Sequence, residues 1–392
     1  MRHLFLLLAA FISVSATAQQ DADNKSKPII SLASFADAAH HWYDITEKGT
    51  IVTPRPGHPR YNATDITAIA DNILLYQKDN GGWPKNYDVQ AILTADQKDS
   101  LLKATQMTNT TFDNGTTYTH VVYLAKVYSY TKAEKYKAAA LKGLDFILAA
   151  QYANGGWPQY FPLEKNNYSS HITFNDDAMG GIMWLLKDVA ENKPDYSFIE
   201  NDKRLKLKAA YEKGLDCILK TQINDAGQPT AWCQQYDEVT LQPAWARKFE
   251  PASICNGESV EIVLLLMSIK KPSPAVIDAV QNAVTWFKAS AIKGIRIETF
   301  TATDMPTPYR LSKTDKRVVN DSMAAPIWTR YYELKTHRPL FCNRDSKVVY
   351  SLAAVERERR DGYAWYTYGP QKILDKYPAW QKKFAPDKNL SQ

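Results

Sequence analysis

The chain has 392 residues, with 48 Lys and Arg against 42 Asp and Glu for a net charge of +6, and four cysteines. That mild, dispersed basicity permits a polyanionic partner without requiring one, and nothing in it calls for nucleic acid. Cys217, Cys233, Cys255 and Cys342 lack any Cys-x-x-Cys spacing, which argues against a zinc site and leaves buried thiols and disulfides equally open.

Taken in chain order, Met1-Arg2-His3 precede an apolar run from Leu4 to Val14 and then Ala16-Thr17-Ala18, the small-x-small pattern of a cleaved export signal. Residues 1–18 are expected to be removed, giving a secreted or periplasmic chain. The run is shorter than the about 20 apolar residues that a membrane span needs. Residues 19–30 are polar and read as a flexible segment, and 31–385 as a single domain. Apolar spacing predicts a helix from Ser31 through Trp42, broken at Pro54-Arg55-Pro56-Gly57-His58-Pro59. Further helices are expected over 63–77, 95–108, 114–131, 133–151, 177–191, 202–222, 258–270 and 274–290, and a β-rich piece from Gly294 to Phe300. No βαβ alternation occurs, which disfavours a parallel sheet.

The phrase Asn-Gly-Gly-Trp-Pro stands at Asn80 to Pro84 and again at Asn154 to Pro158, each time after a helical stretch carrying Asp and Gln in matching places. Asp71 and Gln77 precede the first copy, Asp145 and Gln151 the second, and Asp216 and Gln222 a weaker third. The spacing of about 70 residues leaves room in each unit for two helices and a long loop. A closed or horseshoe-shaped ring of helical hairpins is expected, followed by an irregular C-terminal part.

In such a ring every second helix starts at the same end. Two of those starts match: Thr111-Phe112-Asp113-Asn114-Gly115 and Thr173-Phe174-Asn175-Asp176-Asp177, with Asp and Asn exchanged. One such residue is an ordinary N-cap. Their clustering exceeds what capping needs, and converging carboxylate and amide oxygens suit calcium, which takes about six to eight oxygen ligands. Trp83, Trp157, Tyr160, Trp232, Tyr236, Trp245 and Tyr309 sit in loops, where they would either floor a sugar-binding groove or cap the core. Two further readings stay open. Asp113 and Asp176 could be the acid and base of a toroidal glycoside hydrolase, or the chain could be a catalytically silent sugar-binding protein.

The chain resembles the pectate lyases of polysaccharide lyase family 10. The resemblance rests on Asn80-Gly81-Gly82-Trp83-Pro84-Lys85-Asn86, Thr111-Phe112-Asp113-Asn114, Gly155-Gly156-Trp157-Pro158-Gln159 and Phe174-Asn175-Asp176-Asp177-Ala178-Met179. It continues through Trp232-Cys233-Gln234-Gln235-Tyr236-Asp237, Ala246-Arg247-Lys248-Phe249-Glu250, Gly257-Glu258-Ser259 and Trp328-Thr329-Arg330-Tyr331-Tyr332-Glu333. It implies a mainly α fold, an α/α toroid of repeated helical hairpins with an irregular C-terminal part containing short β-strands. It further implies a calcium-dependent monomer that cleaves polygalacturonate by β-elimination to unsaturated oligogalacturonides. Asp113, Asn114 and Asp176 or Asp177 would hold the metal, with Asp113 also serving catalysis. Arg247 would be the base, its charged form disfavoured by surrounding cations. Lys85, Arg330 and Arg344 would clamp uronate carboxylates, with Trp157, Gln235, Tyr236, Glu258 and Tyr309 along the substrate. One departure stands at Ile254-Cys255-Asn256, where the family more often carries Leu-Ser, and it is expected to alter packing only.

Overall fold

The computed structural model describes residues 29–44, 50–164, 167–307 and 311–386. The expected signal at 1–18, nearly all of 19–30 and Tyr309 lie outside them. The helices are α1 Ala36–Asp44, α2 Ile66–Tyr76, α3 Ala95–Lys103, α4 Tyr118–Thr131, α5 Glu134–Ala150, α6 Ala178–Ala190 and α7 Asn201–Thr221. They continue with α8 Asn256–Met267, α9 Pro274–Ala289, α10 Arg357–Gly362 and α11 Gly369–Phe384. Their ends follow local chemistry. Thr94 and Gln97 form a capping box at the start of α3, and Ser273 with Pro274 opens α9.

The hairpins α4–α5, α6–α7 and α8–α9 build an α/α toroid. In the row of first helices α4 packs on α6 and α6 on α8; in the row of second helices α2 packs on α5, α5 on α7 and α7 on α9. The repeated phrase explains how the rows hold together. Gln77 donates to the carbonyls of Gly81 (2.9 Å) and of Ala139 in α5 (3.0 Å), and Gln151 to those of Gly155 (3.0 Å) and of Ala210 in α7 (2.9 Å). Gln222 repeats the bridge to Ala279 in α9 at 2.9 Å. Each tryptophan turns back on its own hairpin, the indoles of Trp83, Trp157 and Trp232 donating to the carbonyls of Ile73, Ile147 and Ile218 at 2.8, 2.9 and 2.8 Å. Trp328 adds a fourth such bond, to Phe287 at 2.8 Å.

The glycines of the phrase are required by the backbone. Gly81 and Gly155 have φ of +97° and +95°, and a Cβ there would stand 2.4 and 2.1 Å from the carbonyl oxygens of Lys142 and Lys213 in the next hairpin. The phrase is therefore a staple between hairpins, and the three tryptophans are fully buried core. This corrects the reading of these rings as a sugar floor. At about 25 cal/mol per Å², burying each indole contributes roughly 4–6 kcal/mol at most, whereas the loop indole of Trp245 stays exposed.

The C-terminal part holds more β-structure than its sequence announces. A strand Ile295–Pro306 pairs antiparallel with Leu311–Asn320, well beyond Phe300. An antiparallel sheet runs in the order Val348–Val349, Pro339–Cys342, Tyr331–Tyr332, Ile254–Cys255 over a second, smaller core with Phe341 and Trp365. Helix α11, in the part expected to be irregular, contains Pro378; Ile373, Tyr377 and Trp380 give it a buried face against α8 and α9. All four cysteines are free and buried. Among the described residues no helix is long and apolar enough to cross a membrane.

Candidate active site

Two short turns, Asp113–Gly115 ahead of α4 and Asn175–Asp177 ahead of α6, touch at one end of the first-helix row. Their matching sequences take matching backbones. Asn114 and Asp176 both have φ of +50°, a left-handed conformation that Asn and Asp tolerate better than most residues. Asp113 thus corresponds to Asn175, and Asn114 to Asp176. A cleft of about 780 Å³ opens over these turns, lined by Lys85, Asp113, Asn114, Asp176, Arg247 and Arg344 among others.

The Asp113 carboxylate is buried and accepts from Lys85 Nζ at 2.8 Å and from Gln159 Nε2 at 2.9 Å. Burial pushes its pKa upward, but the Lys85 ammonium, these bonds and Arg247 outweigh burial and hold it below the ordinary value. Asp176 has no such cation in contact. Its side chain is exposed toward the cleft, yet the protein packed around it pushes it up to about 7, first by desolvation and then by the charge of Asp113. Asp177 rises to about 6 through desolvation and the charges of Glu261 and Glu258. Asp177 lines a neighbouring groove with Glu261 and Trp184, whereas Asp176 lines both. Of the two, Asp176 shares the cleft with Asp113, Asn114 and Arg247.

Arg247 reaches the cleft from an exposed loop, but its surroundings differ from the cations anticipated there. Its Nε and Nη2 donate to the buried carboxylate of Glu250 at 2.7 and 2.5 Å, and Tyr363 donates to the same carboxylate at 3.0 Å. Burial opposes the charge of Arg247, yet the Glu250 bonds win and hold the guanidinium above its ordinary pKa. Without a bound cation, Arg247 is held by Glu250 as a protonated donor, against the crowding toward neutrality that the base role requires. The pairing at i and i+3 within Arg247-Lys248-Phe249-Glu250 is visible in the sequence, but its dominance over the nearby cations depends on burial.

Several anticipated substrate contacts lie elsewhere. Trp157, Gln235 and Tyr236 are buried; Gln235 Nε2 donates to Thr173 at 2.8 Å and the Tyr236 hydroxyl accepts from the Cys233 amide at 2.6 Å. Glu258 and Arg330 pair at 2.5 Å, and Arg330 also donates to Asn175 at 2.9 Å, so this pair supports the second turn from behind the cleft. Cys255, at the departure from the family pattern, donates its buried thiol to Glu258. That links the departure to the second turn through Glu258 and Arg330, beyond the packing change expected of it.

Among the other cleft residues, Glu358 and Arg359 were not anticipated from the sequence. Phe249 gathers three guanidiniums about its ring, Arg359 at 4.3 Å, Arg247 at 4.9 Å and Arg344 at 5.2 Å from the centroid. Arg344 gives both arms of its fork to Glu358 at 2.8 and 2.9 Å. Glu358 and Arg359 belong to a run of charges that looks like a solvated helix face. His41 of α1 also borders the cleft, its pKa raised to about 8 chiefly by its bond to Asp37.

The family profile described as pectic acid lyase matches residues 77–374. The chain belongs to this family. Two solved structures agree. A family 10 polysaccharide lyase from Cellvibrio cellulosa is 29% identical with a TM-score of 0.66, over 84% of this chain and 98% of its own. A point mutant of a family 10 lyase from the same organism, in complex with trigalacturonic acid, is likewise 29% identical with a TM-score of 0.66, over 82% of this chain and 97% of its own. No protein of curated function matches the sequence. The chain is thus a polysaccharide lyase, and the hydrolase and non-catalytic readings give way.

The lyase cleft suits a hard divalent cation. Desolvation first, and then the charge of Asp113, raise Asp176 to about 7, so a cation set between the two carboxylates would favour its ionised form. The Asn114 amide nitrogen is occupied by Asn86 Oδ1 at 2.9 Å, which orients the side chain. A separate group, His171, Asp237 and Glu238, also converges within 4.8 Å. There Glu238 pairs with His171 at 3.0 Å while Asp237 accepts the Val239 and Thr240 amides at 3.0 and 2.7 Å, the bonding of a folded loop.

Proposed function

We propose that the lyase cleaves polygalacturonate by calcium-dependent β-elimination, leaving an unsaturated end on one product. The chief support is the meeting of Asp113, Asn114 and Asp176 with Lys85, Arg247 and Arg344 in one cleft. The Cellvibrio relative captured with trigalacturonic acid adds to it. Residues 31–385 then act as one catalytic monomer, exported after loss of 1–18.

Elimination removes the proton on C5, beside the carboxylate, and expels the oxygen on C4. The intermediate gathers a second negative charge, so the site must aim positive charge at the acid group. Asp113, Asn114 and Asp176 would hold calcium, which when bound supplies a Lewis acid toward that carboxylate. Lys85, steadied by Asp113, and the charge of Arg344, whose fork is held by Glu358, neutralise uronate charge along the chain. Arg247 takes the C5 proton. Glu250 works against this role, so the competent neutral fraction must grow with alkali and with positive charge in the loaded cleft. The Glu250 pair itself favours a second reading, in which Arg247 stays charged throughout and donates to the developing enolate while hydroxide from solvent takes the C5 proton.

The test follows ultraviolet absorbance of the unsaturated product, with and without a chelator, for wild type and Arg247→Lys across pH. The expected result is a chelator-sensitive rate with an alkaline optimum, and a kcat about 100-fold lower or worse in the variant. A neutral optimum that the variant preserves removes Arg247 as base, and a chelator-resistant rate removes calcium.

A further inference from the structure

A separate pocket of about 140 Å³ adjoins the cleft, and Lys85 and Tyr160 line both. Three other residues of its wall, Tyr76, Tyr87 and Asn109, each bury a polar atom that has no hydrogen-bond partner among the described residues: the two phenol oxygens and Asn109 Oδ1. Tyr76 and Tyr87 are 5% and 4% exposed, and their rings stack with centroids 3.6 Å apart. Burial, the main cause, raises the pKa of both phenols, so each keeps its proton and remains a donor. Buried polar atoms are seldom left unpaired, and three around one space mark it as built for a polar guest. Lys85, the only charged residue in this wall among the described residues, gives a bond to Asp113 at 2.8 Å, while Ile51, Val52 and Pro84 make other parts of the wall apolar.

We propose that this pocket receives an O-acetyl group carried on a ring oxygen of a uronate in the cleft, so that the lyase favours acetylated polygalacturonate. The inference rests on the polygalacturonate reading above. An acetyl ester offers the phenols a carbonyl acceptor and offers Val52 and Pro84 a methyl group, and it brings no charge into a wall whose lysine is already engaged. A second carboxylate would have to be buried there without a free cation, which costs far more. Size points the same way. An apolar cavity of roughly 150 Å³ takes up a benzene ring, so this pocket has the scale of an acetyl group and falls short of a whole branch sugar. A pocket that held only water would fix the side chains around it without affecting the choice between acetylated and plain chains.

The experiment compares wild type with the double variant Tyr76→Phe, Tyr87→Phe on partly O-acetylated polygalacturonate and on the same chain after deacetylation, with thermal melts alongside. Phenylalanine keeps the ring stack and removes only oxygens that nothing in the fold holds, so the variant should melt with wild type. The expected wild-type kcat/KM is higher on the acetylated chain. In the variant that preference falls about fivefold, as for loss of one neutral hydrogen bond, while kcat/KM on the deacetylated chain is unchanged. If the double variant melts early, the two single variants are read in its place. A wild type with no preference for the acetylated chain, a variant that keeps the preference, or an equal fall on both chains overturns the proposal while leaving the lyase reading intact. If wild type makes no unsaturated product from either chain, that reading fails, and calorimetric titration with plain and acetylated trigalacturonate decides for the pocket: tighter binding of the acetylated form that the variant loses supports it, and equal or absent binding of the two overturns it.

Discussion

Asp113 and Asp176 occupy exchanged positions in two copies of one turn, yet they are driven in opposite directions. Lys85 and Gln159 keep Asp113 ionised, whereas Asp176 holds its proton up to about pH 7. The sign of the consequence follows from proton counting. Asp176 binds its proton more tightly in the folded chain than at its ordinary value of 3.8, so between about pH 4 and 7 the ion-free fold carries more protons than the unfolded chain and loses stability as pH rises. A cation competes with that proton. Calcium should therefore raise the Tm more at pH 8 than at pH 5, and Asp176→Asn should flatten the difference. Scanning calorimetry at the two pH values measures it; an equal shift at both would remove Asp176 from the metal site.

Between hairpins the repeated phrase does the joining. Trp157 donates to Ile147, lies against Gly214 of α7 and is fully buried, so it serves two hairpins at once. Trp157→Ala should cost about 3–5 kcal/mol in a urea melt through lost burial and the cavity left behind. Its remaining folded fraction should keep the wild-type KM, because the ring never meets the cleft. A raised KM with unchanged stability would return Trp157 to the substrate. Gln77, Gln151 and Gln222 show the same logic, each half-buried amide bonding two carbonyls that the turns and helices present.

Across the whole molecule the net charge of +6 is small, and its arrangement matters more. Arg247, Arg344 and Arg359 crowd one ring, with Lys85 in the same cleft. A polyanion should be drawn to such a concave patch, and added salt should screen its approach. Steady-state rates on polygalacturonate should show KM rising several-fold between about 0.05 and 0.5 M sodium chloride at fixed calcium, with kcat nearly constant. A KM indifferent to salt would place the substrate outside this cleft.

Helix positions, the hairpin repeat and the two matched turns are legible in the chain because they depend on neighbours a few residues away. Periodicity marks the helix faces, and the Asn and Asp residues suit the left-handed backbone that Asn114 and Asp176 adopt. The family blocks likewise point to Asp113, Asp176 and Arg247 together. Burial and the choice of charge partner were decided only by the fold. A loop tryptophan looks the same whether it meets a sugar or a helix carbonyl, and Trp157 became core because Gly214 in the next hairpin leaves it space. Arg247 is held charged by Glu250, and Arg359 was left short of acceptors because Glu358 turned to Arg344. Such outcomes depend on distances between residues far apart in the chain and on the exclusion of water, neither of which a local pattern carries.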